Sequence, residues 1–188
     1  MKVALFGGAF DPPHIGHQRV AEEIIKREVA DEVRFVPVKN HAFDKKMSSA
    51  EHRLAMCTLI TNGQIGVETY ELDNPGVSYS HKTLRALSAA EPENEFFWVI
   101  GSDNLASFHK WGDYQKLLTE FRIYVYPRQK YSMEPLRKGM VVLSDMPEVA
   151  VSSTLVREKI KTGESVIKLA DEKIVKYIKE NGLYHAKF

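Results

Sequence analysis

Short unbroken apolar runs alternate along this chain with stretches whose apolar positions recur every three or four residues. Val3-Ala4-Leu5-Phe6 and Phe96-Phe97-Trp98-Val99-Ile100 are the clearest runs, with the character of strands buried on both faces. Val33 to Val38, Arg122 to Tyr126 and Val141 to Leu143 read as further strands, and Ile65 to Glu68 as a weak one. Between them, Val20, Ala21, Ile24 and Ile25 mark one face of a first helix running to about Glu28. Ser48-Ser49-Ala50-Glu51 predicts a helix start with an end near Asn62-Gly63, and Ser80 precedes a helix through Leu84, Leu87 and Ala90. A short helix is expected over Trp111 to Leu118, another from Ser152-Ser153-Thr154 through Ile160, and a last one that buries Ile174, Tyr177 and Ile178 and stops at Asn181-Gly182. Strands and helices alternating at these lengths predict an α/β fold: a Rossmann-like, doubly wound parallel sheet with a helical C-terminal element, in a single domain over 1–188.

Composition narrows what such a domain does. Lys plus Arg number 26 against 25 for Asp plus Glu, so nothing suggests a nucleic-acid surface, and any anion site is local. The single cysteine, Cys57, lies in an apolar helical stretch and reads as a small buried hydrophobe rather than a nucleophile. No apolar run of 18 residues occurs, nor a basic segment followed by a long apolar one at the N-terminus, so the expectation is a cytoplasmic protein without a membrane partner. Arg128 to Lys138 reads as a polar loop within the domain, and the sequence leaves the oligomeric state open.

The candidate chemistry gathers where strands end. The first run meets Gly7-Gly8-Ala9-Phe10-Asp11-Pro12-Pro13, then His14-Ile15-Gly16-His17. Two glycines let the backbone turn tightly and approach a ligand closely. Asp11 and the prolines suit the opening of a helix whose free N–H groups would favour phosphate. His14 and His17, three apart, share one face of its first turn. The pattern is neither a P-loop nor the dinucleotide glycine fingerprint. Helix capping alone, or a fragment of a zinc site, are the competing readings, and zinc lacks the further ligands it would need. Lys45 and Lys46 follow the second strand, Asp103 the fourth, and Arg157 comes after the last; most of these residue types bind phosphate.

The segment Gly-Gly-x-Phe-Asp-Pro-x-His-x-Gly-His resembles the signature of the nucleotidylyltransferase superfamily. The similarity narrows to the bacterial nicotinate mononucleotide adenylyltransferases through Ser49 to Met56 with Arg53, Ser78-Tyr79-Ser80 with Thr83, Gly101-Ser102-Asp103, Lys110-Trp111, Val151 to Arg157, and Glu180 to Tyr184. This resemblance implies transfer of an adenylyl group from ATP, with Mg²⁺, to a pyridine mononucleotide. It implies that His14, His17, Arg157 and one of Lys45 and Lys46 serve the phosphates. Gly8, Ala9, Phe10, Gly101, Asp103, Ser153 and Thr154 would bind ATP, and Ser80, Thr83, Trp111 and Gly112 the mononucleotide. Asp11 reads as mainly structural, since a carboxylate facing triphosphate is repulsive. The sequence departs from the family at Ala9, where threonine or serine is usual, and at Asn40 to Lys46, where the family has Pro-Pro-His-Lys. An enzyme preferring nicotinamide mononucleotide, transfer to another phosphorylated acceptor, and a nucleotide sensor without turnover stand as alternatives.

Overall fold

A computed structural model describes residues 1–39, 47–74, 76–77, 79–147 and 150–185. Six parallel strands form one sheet in the order β3-β2-β1-β4-β5-β6. They are β1 (Lys2–Gly8), β2 (Glu32–Pro37), β3 (Ile65–Val67), β4 (Glu95–Gly101), β5 (Ile123–Tyr126) and β6 (Met140–Val142). The two longest apolar runs are the central pair, and they lie side by side with Val3 opposite Phe96 and Leu5 opposite Trp98.

Alternation along β1 divides the interior into two cores. Ala4 and Phe6 face one side, where α1 (Ile15–Lys26), α2 (Ala50–Thr58), α6 (Ser153–Thr162) and α7 (Glu172–Glu180) bring Val20, Ile24, Met56, Val156, Ile160, Ile174 and Ile178. Val3 and Leu5 face the other, met by Leu84 and Leu87 of α4 (Ser80–Ala90), Leu105 and Phe108 of a 3-10 helix over Ser102–Lys110, and Leu117 of α5 (Tyr114–Glu120). The sheet is therefore covered on both faces, which is why its strands read as continuous apolar runs. Cys57 is fully buried among these residues, and burial pushes its thiol well above the ordinary range, so it behaves as packing. Gly7 marks a close approach between neighbouring strands, because a Cβ there would lie 2.3 Å from the Trp98 ring.

The strand order reverses direction between β1 and β4, and a crevice opens outside their carboxyl ends, where open α/β sheets bind ligands. Two local expectations are corrected around this crevice. The prolines do not open α1: they stand in the preceding turn, and the helix begins at Ile15 with His14 as its cap. The helix expected from Trp111 begins only at Tyr114, because Asp113 is left-handed (φ 56) and Trp111 terminates the preceding 3-10 helix. Leu105 and Phe108, three apart, match the three-residue turn of that 3-10 segment. Asn40 to Lys46, including both candidate lysines, and Ser78 lie outside the described residues.

Candidate active site

The crevice is a cavity of about 810 Å³. His14, His17, Gly8, Ala9, Phe10, Gly101, Asp103, Ser153, Thr154, Ser80, Trp111 and Gly112 all line it. Of the described candidates, Arg157 and Thr83 do not. Arg157 is half-buried at the rim and donates to the Asp11 carbonyl at 2.6 Å and to Thr154 Oγ1 at 3.2 Å. Thr83 is buried behind the wall and donates to a Glu71 carboxylate oxygen at 2.8 Å.

The histidines are built into the start of α1. His14 Nδ1 accepts from Gly16 N at 3.1 Å, and His17 Nδ1 accepts from His14 N at 3.2 Å, a reciprocal cap. The rings stack at 3.7 Å, with Phe10 on the other side of His17 at 4.8 Å. Burial, then the positive charge of Arg128, pulls the His14 pKa down to about 3; burial, His14 and Arg128 likewise depress His17. Both imidazoles are thus neutral at physiological pH. A backbone N–H can only donate, so each Nδ1 is the bare nitrogen and each proton sits on Nε2. Capping and ligand binding are therefore not alternatives here: one ring edge holds the helix and the other carries an N–H donor.

The expectation of free backbone donors at this helix start does not hold. Ile15 N donates to Leu169 O at 2.9 Å, Gly16 N to the His14 ring, and His17 N to His14 O at 2.9 Å. Tertiary packing against the 166–170 turn occupies the first of these donors, and His14 itself the other two. The free donors are at α6 instead: Ser152 Oγ accepts from Leu155 N at 3.1 Å, while the N–H groups of Ser153 and Thr154 have no acceptor among the described residues. Ser153 Oγ donates to Pro12 O at 2.9 Å, tying α6 to the β1 loop. The positive end of α6 and the two imidazoles thus border the same cavity.

Sequence reasoning missed Arg128, two residues beyond β5. Its guanidinium donates to Asp103 Oδ2 at 3.3 Å and Val151 O at 3.2 Å, and its N–H to Ser102 Oγ at 3.0 Å. The rule that ligand groups follow strand ends would have found it; it was absorbed into the polar loop. Glu71 and Tyr79 also line the cavity. Tyr79 packs so closely on Gly112 that a Cβ there would lie 2.3 Å from the ring, so this wall requires glycine.

Around the β1 loop the charges are structural. Asp11 is buried and accepts from Ser48 N at 3.2 Å and from Tyr184 Oη at 2.7 Å. Arg53, 1% exposed, donates to the carbonyls of Ala9 (3.0 Å), Ser48 (3.0 Å) and Lys39 (3.3 Å).

The depressed histidines make stability pH-dependent. Below pH 6.5 the unfolded chain takes up protons that the folded chain refuses, so stability is full above 6.5 and falls as pH drops toward 3. Each such histidine contributes up to about 1.4 kcal/mol per pH unit in that window. Urea unfolding of wild type and a His14→Asn/His17→Asn variant should give a stability gap that shifts against the wild type between pH 6.5 and 5. A gap independent of pH would show that the rings titrate normally.

Among the described residues no helix is long and apolar enough to cross a membrane, and no group of three or more His, Cys, Asp or Glu is placed to hold a metal. The cytidylyltransferase-like family matches residues 5–159. The probable nicotinate-nucleotide adenylyltransferase of Geobacillus thermodenitrificans is 33% identical over 99% of this chain and 87% of its own length. The nicotinate-nucleotide adenylyltransferase of Bacillus subtilis is 32% identical over 98% of this chain and 99% of its own. Among solved structures, Plasmodium falciparum nicotinic acid mononucleotide adenylyltransferase complexed with NaAD shares the fold, with a TM-score of 0.81, 18% identity, and coverage of 99% and 98% of the two chains. With a cavity at the strand-order reversal, a capped histidine pair beside it and end-to-end similarity to such relatives, the chain belongs to the cytidylyltransferase-like family and, within it, to the nicotinate-nucleotide adenylyltransferases.

Proposed function

We propose that this protein transfers the adenylyl group of ATP to nicotinate mononucleotide, forming deamido-NAD and pyrophosphate. The observation that carries the reading is the convergence, on one cavity, of two Nε2–H donors, the open N-terminus of α6, and Trp111 with Ser80 and Gly112.

An oxygen of the mononucleotide phosphate attacks the α-phosphorus of ATP, and the bond to the bridging oxygen of the β-phosphate breaks as pyrophosphate leaves. A phosphate monoester has a second pKa near about 6, so the nucleophile is already ionised at neutral pH and needs no general base. Neutral histidines suit that requirement: they are needed as donors, not as bases. Catalysis is then alignment of two anions and stabilisation of charge on the α-phosphate and the leaving group. His14 and His17 donate through Nε2–H, and the Ser153 and Thr154 N–H groups receive further phosphate oxygens. Arg128 and Arg157 supply positive charge, and one of Lys45 and Lys46 adds another. Gly8, Ala9, Phe10, Gly101 and Asp103 line the adenosine. Thr83 acts through Glu71 rather than by contact.

Mg²⁺ fits as an ion carried on the phosphates of ATP. Asp103 lines the cavity and is paired with Arg128, a donor set that suits an ion held mainly by substrate oxygens and water. When bound, Mg²⁺ neutralises charge on the triphosphate.

At the pyridine end, Trp111 stacks on the ring and backbone N–H groups near Ser80 and Gly112 meet the carboxylate. Donors without an acceptor leave an amide NH₂ facing an N–H, a mismatch of about 1–3 kcal/mol. Pyrophosphate release with MgATP and a panel of mononucleotides should therefore favour the acid over the amide in kcat/KM. A ratio at or below one reassigns the preference to nicotinamide mononucleotide. Binding without pyrophosphate release would make the chain a sensor.

A further inference from the structure

Ser80 and Gly112 meet at the cavity from two different segments: Ser80 opens α4, and Gly112 stands two residues before α5. Their N–H groups have no acceptor among the described residues. The separation of these two donors therefore depends on how α4 and α5 are docked. Residues at the start of α4 hold its neighbours. Tyr79, its cap, lies against Gly112. Thr83 turns to α3 (Tyr70–Asp73) and donates to Glu71 Oε1 at 2.8 Å. His81 turns to α5 and is 3% exposed, outside the lining of the cavity.

The His81 ring stands between two acids. Nε2 lies 3.1 Å from Glu120 Oε2 and Nδ1 lies 4.0 Å from Asp113 Oδ2, with the Phe121 ring edge-on at 6.2 Å. Asp113 and Glu120 are seven positions apart, two helical turns, so they share the face of α5 that receives the imidazole. Glu120 is the last residue of α5 and Asp113 immediately precedes the first. Asp113 also has φ 56, in the left-handed region that favours glycine, and it is bonded directly to Gly112. Whatever holds its carboxylate holds the turn that presents Trp111 and Gly112. The other charges on these acids come from exposed side chains, Lys116 at 3.4 Å from Asp113 and Arg85 at 3.6 Å from Glu120. Exposed pairs of that kind hold geometry weakly. The buried ring is the contact shielded from water.

We infer that His81 is a positioning residue for the mononucleotide: by joining α4 to both ends of α5, it fixes the spacing of the Ser80 and Gly112 donors, and with it the preference for acid over amide. The inference rests on the reading of the cavity as a nicotinate mononucleotide site. Two N–H donors at a fixed spacing match the two oxygens of one carboxylate. A carboxamide offers one oxygen, and its NH₂ is forced against the second N–H. Walls free to part relieve that clash, so the penalty against the amide shrinks while the acid loses one of its two donors.

The test compares kcat/KM for nicotinate and nicotinamide mononucleotides at saturating MgATP. In His81→Leu, which removes both polar contacts, the acid-to-amide ratio should fall by about tenfold, chiefly through a higher KM for the acid, while the KM for ATP stays within about twofold. His81→Gln, whose amide nitrogen still reaches toward Glu120, should keep most of the ratio. Glu120→Ala changes an exposed side chain and spares the core, so it serves if His81→Leu does not fold; its ratio should fall by about threefold or more. An unchanged ratio in folded His81→Leu, or in Glu120→Ala where His81→Leu does not fold, overturns the inference. So does an equal rise of KM for the acid, the amide and ATP, which is the mark of a general loss of stability. A wild-type ratio at or below one would defeat the nicotinate reading of the site itself, and it is measured before any variant.

Discussion

Replacing His17 by alanine is expected to lower kcat by about 10²–10³, the scale for losing one preorganised donor to a developing anion. The mononucleotide KM should change less, since the role proposed for the ring is at the phosphates of ATP. The variant also removes the acceptor of His14 N, half of the reciprocal cap, which costs roughly 1 kcal/mol of stability. A melting curve separates this from the catalytic loss. His17→Asn, which offers both an acceptor for the cap and a donor on the same group, should recover stability more fully than activity. An alanine variant with unchanged kcat would remove His17 from the chemistry.

The largest effect on folding is expected from Arg53→Met. The side chain is of similar length and apolar, so it fills the space, but three half-buried carbonyls lose their donor and the Asp11 carboxylate loses a neighbouring positive charge. Stripping one partner from a buried ionic network costs about 3–5 kcal/mol, against a total of about 5–15 for a domain. Urea unfolding should show a loss in that range, with Arg53→Lys intermediate because a single ammonium cannot span three acceptors. A loss under about 1 kcal/mol would mean that the carbonyls find other partners. Arg53 ties the segments on both sides of Asn40 to Lys46 to the β1 loop through Lys39 and Ser48, so the destabilised enzyme should also show a raised KM for ATP.

The sheet was legible because its strands are buried on both faces, and β1 and β4 therefore appear as unbroken apolar runs. The site was legible where chemistry sits on a strand end or a helix start, as with His14, His17, Asp103 and Ser153. What could not be read depends on contacts distant in sequence. Of the three occupied donors of α1, Gly16 N and His17 N are taken locally by His14, but Ile15 N is taken by Leu169, more than 150 positions away, which no local pattern encodes. The delayed start of α5 follows from a left-handed Asp113, its carboxylate beside His81 and Lys116, rather than from its own helical propensity. Glu71 carries no signal at all, since a glutamate in a four-residue helix is ordinarily solvated, yet here it is buried, with Thr83 donating to it. Arg128 was missed for a different reason: its position was favourable, but the polar residues after it disguised it as loop.

The bonds that brace the β1 loop have an unusual span. Ser153 reaches Pro12 across 141 positions, Arg157 reaches Asp11 across 146, and Tyr184 reaches Asp11 across 173. On the proposed function, nucleotide affinity is accordingly a property of the whole cooperative unit and not of the amino-terminal half that carries the histidines. A fragment ending before α6 would keep both imidazoles yet lack the open start of that helix, and nucleotide bound as proposed would protect the carboxyl-terminal helices from proteolysis as strongly as the β1 loop.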